Sequence, residues 1–137
     1  MAKVAEIKTK PTEVNPADFI NAITDAQKRT DSLTVMKMME KASGEKPVMW
    51  GASIIGFGFK RYKSERSGRE VDWFKIGFAP RKANITLYLL DMRSHAGALE
   101  KLGKHKIGGG CLYINKLSDI DVNVLDNMIL NAFKARS

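Results

Sequence analysis

A chain of 137 residues with one cysteine, 23 lysines and arginines against 15 aspartates and glutamates, and a net charge of +8 is sized for a single domain, one that removes roughly 68% of its unfolded surface from water. A single thiol excludes an internal disulfide framework, and no run nears the ~20 apolar residues of a membrane-spanning helix. The positive excess favours anionic partners, among them phosphates, nucleotides and nucleic acid, but it is spread evenly along the chain, as charge that serves solubility also is.

The opening residues, MAKVAEIKTK, carry charge without an apolar core of signal-peptide length, so the expected compartment is the cytoplasm. Residues 1–14 show no periodicity and are expected to be a mobile arm, with one domain over 15–137. Asn15-Pro16-Ala17-Asp18 then opens a short helix: asparagine caps free amides, proline fits the first helical position, and the aspartate meets the positive end of the dipole. A second helix is predicted from Thr24, with Gln27 as its capping-box partner, to Ser43, with Gly44 as its stop. Its apolar stripe is Leu33, Val35, Met36, Met39 and Ala42. Methionines at that spacing read as core filler before they read as soft-metal ligands.

Three β-like runs follow Pro47. Alternate residues give one apolar face in each: Ile55, Phe57 and Phe59; Phe74, Ile76 and Phe78; Ile85, Leu87 and Leu89. The opposite face mixes Gly56, Gly58, Lys60, Tyr62, Trp73, Lys75, Gly77, Thr86, Tyr88 and Leu90. Such a face is either a solvated outer wall or the floor of a binding site. The connections, a basic hairpin loop at 63–69 and the turn 79–84, are short enough to predict adjacent antiparallel strands. Ser94 is expected to cap a third helix ending at Gly103. A glycine-rich loop over 104–110 leads to a short strand, Cys111–Asn115, and Ser118 with Asp121 opens the last helix, whose apolar face is Val122, Leu125, Met128, Ile129 and Phe133. The predicted class is α+β: a mainly antiparallel sheet of four to five strands with N- and C-terminal helices packed on one face.

The segment Gly103-Lys104-His105-Lys106-Ile107-Gly108-Gly109-Gly110 carries the most chemistry. Glycines let backbone amides converge and the lysines add charge, so it can cradle a phosphate or carboxylate; it also reads as a plain connection, and it lacks P-loop spacing. If the turn at Arg81 and Lys82 lies near Lys104, His105 and Lys106, the two form a cationic rim. Trp73, Lys75 and Tyr88 would then be its floor, a setting for an anionic or planar small molecule or for stacked single-stranded nucleic acid. Gly108 belongs to the same candidate site. The competing reading is that Trp73 and Tyr88 are simply covered by a helix.

His95 and His105 lack zinc-ligand spacing. Cys111 is either a buried, inert thiol or one activated by nearby lysines. Asp119 and Asp121 suit a helix start, and Asp72 is an acid–base candidate without a visible partner. No nucleophile-elbow motif is present. The expectation is therefore a binding module with no assigned catalytic residue, metal or cofactor. Its oligomeric state is left open by the sheet edge.

Three segments together, PVMWGASIIGFG (47–58), DWFKIGFAPRKANITLYL (72–89) and LGKHKIGGGCLYI (102–114), closely resemble the YdhG-like family of small bacterial domains, most of them of unknown function. The resemblance runs from about Asn15 to the end and implies an α+β domain of frataxin-like architecture. It supplies no catalytic residues. One branch is described as an intracellular iron chaperone that binds through acidic surface positions, which makes iron binding the alternative function. In this chain Asp18, Asp25, Asp31 and Glu40 are interrupted by Lys28, Arg29, Lys37 and Lys41, a poor match to the clustered oxygens a hard cation requires.

Overall fold

The structure, a computed structural model, describes residues 12, 14–51, 53–63, 70–89, 95–108 and 111–135, and gives the backbone alone at 60–63 and 70–72. Helix α1 (Pro16–Asn21) starts as its sequence dictates: the Asn15 side chain accepts from the amides of Ala17 and Asp18 at 2.8 and 3.3 Å. Helix α2 (Ala26–Ser43) starts one residue later than predicted. Asp25, not Thr24, is its cap and accepts from the amides of Gln27 and Lys28 at 2.9 and 3.2 Å. A carboxylate at this position adds attraction to the helix dipole that a hydroxyl lacks. Gly44 ends α2 at φ +68°, the left-handed turn for which glycine is the default residue.

Strands β1 (Val48–Trp50), β2 (Ile54–Phe57), β3 (Lys60–Lys63), β4 (Glu70–Trp73), β5 (Ile76–Pro80) and β6 (Ile85–Tyr88) follow. After them come helix α3 (Ala96–Leu102), strands β7 (Lys106–Ile107) and β8 (Cys111–Ile114), a 3₁₀ turn (Leu117–Asp119) and helix α4 (Val122–Ala135). Helix α3 begins behind His95 without a side-chain cap, and Ser94 lies outside the described residues. Helix α4 is capped by Asp121, which accepts from the amides of Asn123 and Val124 at 2.9 and 3.3 Å; Ser118, expected in that role, sits inside the 3₁₀ turn.

The main sheet has six strands, not four or five, in the order β1-β2-β5-β6-β8-β7, and every neighbouring pair is antiparallel. The strands beyond the predicted number are short end strands, β1 of three residues and β7 of two, too short to display a period. Strands β3 and β4 pair separately as a two-stranded ribbon. On one face Ile55, Phe57, Ile76, Phe78, Ile85, Leu87, Leu112 and Ile114 join Val35 and Met39 of α2 and Leu125, Met128, Ile129 and Ala132 of α4 in one buried core. Buried Asp31 of α2 accepts from the Leu117 amide at 3.1 Å and from Gln27 Nε2 at 2.9 Å, tying α2 to the turn that precedes α4.

Three residues of the predicted apolar faces do not join that core: Phe59, Phe74 and Val122, which is 40% exposed at the start of α4. Strand β2 ends at Phe57, and Phe59 is 56% exposed. Between β4 and β5 the chain kinks at Lys75, whose amide donates to the Phe57 carbonyl at 3.0 Å, and Phe74 goes to the other face. There its ring lies over Gly56 and Gly77, which pair across β2 and β5. A Cβ on Gly56 would stand 2.7 Å from both Phe74 Cβ and Trp50 Cδ1. Trp50, Trp73, Phe74 and Tyr88 make a second, aromatic cluster, with Phe74 and Trp50 buried. At this end, then, the far face is neither a solvated wall nor an open floor.

Candidate functional site

Antiparallel pairing decides which loops meet. Pro80 pairs with Ile85, Ile85 with Ile114, and Tyr113 with Lys106, so the turn after β5, the end of β8 and the entry to β7 all lie at the same end of the sheet. They enclose a recess of about 380 Å³ lined by Ala83, Asn84, Lys104, His105, Lys106, Tyr113 and Asn115. The turn 79–84 and the segment 104–106 therefore border one opening, the turn through Ala83 and Asn84 and not through Arg81 and Lys82, the two cations expected on the rim.

Main-chain stitching fixes the far wall. Gly103, at φ +112°, bridges Ile120; the Lys104 amide donates to the Asp119 carbonyl at 3.1 Å, and the Asp121 amide to the Leu102 carbonyl at 2.7 Å. A Cβ at Gly103 would lie 2.5 Å from the Asp119 oxygen, so only glycine allows this exit from α3. His105 Nδ1 bonds the Gly103 carbonyl at 2.7 Å. The near wall is held from α2. Lys28 Nζ donates to the carbonyls of Arg81 and Lys82, the second at 2.8 Å, while the Arg81 amide closes the turn on the Asn84 carbonyl at 2.8 Å. Thr86 Oγ1 donates to Asn84 Oδ1 at 2.8 Å, which fixes the orientation of the carboxamide and leaves its nitrogen able to donate elsewhere.

The remaining sequence candidates are dispersed. Arg81 reaches back along the far face to donate to the Tyr88 hydroxyl at 2.8 Å, and Tyr88 meets Phe74 edge-on. Lys82 is exposed and does not line the recess. Trp73 stacks on Phe74 with ring centroids 4.4 Å apart, and Lys75 Nζ lies 5.1 Å from the centre of the Phe133 ring of α4. Both sit near the opposite end of β5. The glycine-rich segment is two loops and not one. Strand β7 separates Lys104-His105 from the hairpin at Gly108, whose amide donates to the Cys111 carbonyl at 2.9 Å; Gly109 and Gly110 lie outside the described residues.

Sequence reasoning gave no role to Asn84, Asn115, Tyr113 or Lys28. Alternation along β8 puts Tyr113 on the face of Thr86, a signal that was available, whereas nothing local links Lys28 to a turn 53 residues away. Cys111 is half-buried beside Tyr113. Burial pushes its thiol up, against the smaller pull of the Tyr113 hydrogen bond and Arg81, so it stays a neutral thiol and not an activated nucleophile. The Tyr113 hydroxyl is pushed up in turn, first by the charge Cys111 would carry. Neither group brings negative charge to the recess at neutral pH. His95 is buried, and its Nε2 donates to the Leu89 carbonyl at 3.0 Å.

Among the described residues no group of three or more His, Cys, Asp or Glu side chains is placed to hold a metal ion, and no helix is long and apolar enough to cross a membrane. No protein-family model, curated protein or solved structure matches the chain.

Proposed function

We propose that this chain is a non-catalytic binding domain for a small anionic ligand, held in the recess between the turn after β5 and the entry to β7. The observation that carries the reading is that Lys104, His105 and Lys106 share one opening with Asn84, whose carboxamide oxygen is held by Thr86. Cations and N–H groups converging on a concave surface suit an oxyanion. A planar portion of the ligand would lie against Tyr113, the aromatic residue in the lining. Kinship with the YdhG-like domains belongs to the same proposal, and the coarse α+β architecture is compatible with it.

Titration with inorganic phosphate, followed by amide chemical shifts, tests the reading. Shifts are expected to concentrate at residues 83–84, 104–106 and 113–115, and the affinity to fall at least about tenfold in the Lys104→Ala/Lys106→Ala variant, the loss of two charge-assisted contacts. Shifts scattered over the whole basic surface, or an affinity indifferent to those two lysines, would refute it.

A further inference from the structure

We infer that the recess takes an oxyanion bearing only acceptor oxygens, the class of sulfate and of the dianionic head of a phosphate monoester, together with a proton carried by His105. The inference rests on the anion-binding reading and adds to it a rule about which anions bind and at what pH. It follows from which ring nitrogen is already used. A carbonyl can only accept, so the 2.7 Å bond to the Gly103 oxygen places a hydrogen on Nδ1 whether the imidazole is neutral or charged. Any ligand bond to the ring must use Nε2. In the neutral ring Nε2 is a bare lone pair, which repels an acceptor-only oxygen; in the imidazolium it is an N–H that donates to it.

The other lining groups sharpen this choice. Lys104 and Lys106 flank His105 on its own segment, Tyr113 of β8 pairs with Lys106 and shares the lining, and Asn84 and Asn115 are uncharged. Asp119 gives the Lys104 amide its main-chain carbonyl and is not among the lining side chains. Among the described residues no carboxylate lines the recess, so within that lining a bound anion is what offers the imidazolium a negative partner. Wherever the free ring is neutral, ligand and proton therefore arrive together, the proton drawn from solvent, with no covalent change.

Isothermal titration of the full chain with sodium sulfate between pH 5.5 and 8.5 tests this, run at each pH in two buffers of different ionisation heat. Proton uptake approaching one per sulfate is expected on the alkaline side of the imidazole titration, with affinity falling roughly tenfold per pH unit there. His105→Gln keeps an uncharged N–H donor near the position of Nε2 and should bind sulfate with a flat pH profile and no proton uptake. Glycerol phosphate in place of sulfate assigns the natural class: tighter binding of the ester supports a phosphate-monoester site, and tighter binding of sulfate an inorganic-ion site, both proton-coupled. If wild type binds sulfate through Lys104 and Lys106 with a flat pH profile and no proton exchange, the His105 inference is overturned while the site stands. No sulfate binding at any pH overturns the His105 inference, and no binding of sulfate or of inorganic phosphate overturns both. The wild-type proton count needs no variant, so a folding defect in His105→Gln leaves the test intact.

Discussion

Phe74 shows how much one residue decides in this fold. Its spacing from Ile76 and Phe78 is that of a single strand face, and nothing in the letters Trp-Phe-Lys marks the kink that sends it across the sheet. What makes the crossing feasible is legible only in pairs. Gly56 and Gly77 sit opposite each other on β2 and β5 and leave a floor with no side chains, on which the ring rests. Gly56→Ala should therefore overpack this cluster and cost about 1–3 kcal/mol, although alanine is ordinarily at home in extended backbone. Phe74→Ala empties the same space and should cost about 3–5 kcal/mol. Urea unfolding checks both. Because the two act on one contact, the double variant should lose clearly less than the sum, since the methyl added at position 56 then fills space the ring has vacated. Strict additivity would mean that the glycine pair and the ring are unrelated.

At the scale of elements, the sequence was legible wherever information is local and failed where partners are distant. Asn15 and Gly44 mark helix ends because each acts on amides or dihedrals within a few residues. Thr24 and Ser118 were misread because Asp25 and Asp121, one and three residues on, offer the free amides a stronger acceptor. Adjacency of β5 and β6 followed from a short turn, but the joining of that turn to Lys104–Lys106 depends on β8 entering between β6 and β7, which no spacing announces. Lys28 is the extreme case, a helix residue that holds a sheet turn. As a positioning residue it should show itself in function more than in folding. Lys28→Met is expected to weaken phosphate binding about threefold to tenfold, or ~0.7–1.4 kcal/mol. The exchange of the Arg81 amide with solvent should quicken as well, because the turn it closes is released. Lys28→Arg, still able to donate to two carbonyls, should restore most of the affinity. Equal affinity in all three proteins would show that the turn holds its shape without help from α2.

For the whole molecule, the question is whether the basic groups at the recess serve the fold or a ligand. With a net charge of +8, any two further cations placed side by side add self-repulsion to the compact state. Lys104 and Lys106, both exposed, flank a histidine, and among the described residues no carboxylate in the lining offsets them. If they are there for an anion, removing them should cost the fold nothing. In dilute chloride the Lys104→Ala/Lys106→Ala variant should melt at the same temperature as wild type or higher, a pattern found where function is maintained against stability. Phosphate should reverse the order. At a free concentration 100 times its dissociation constant, a ligand of the native state adds about 2.7 kcal/mol, which is roughly 10 °C in a domain of this size. Chloride at matched ionic strength supplies the screening without the site. The expected result is thus a crossing: wild type no more stable than the variant in chloride and clearly more stable in phosphate. A variant that melts lower in both salts by the same interval would place the two lysines in the service of the fold and leave the recess without a ligand.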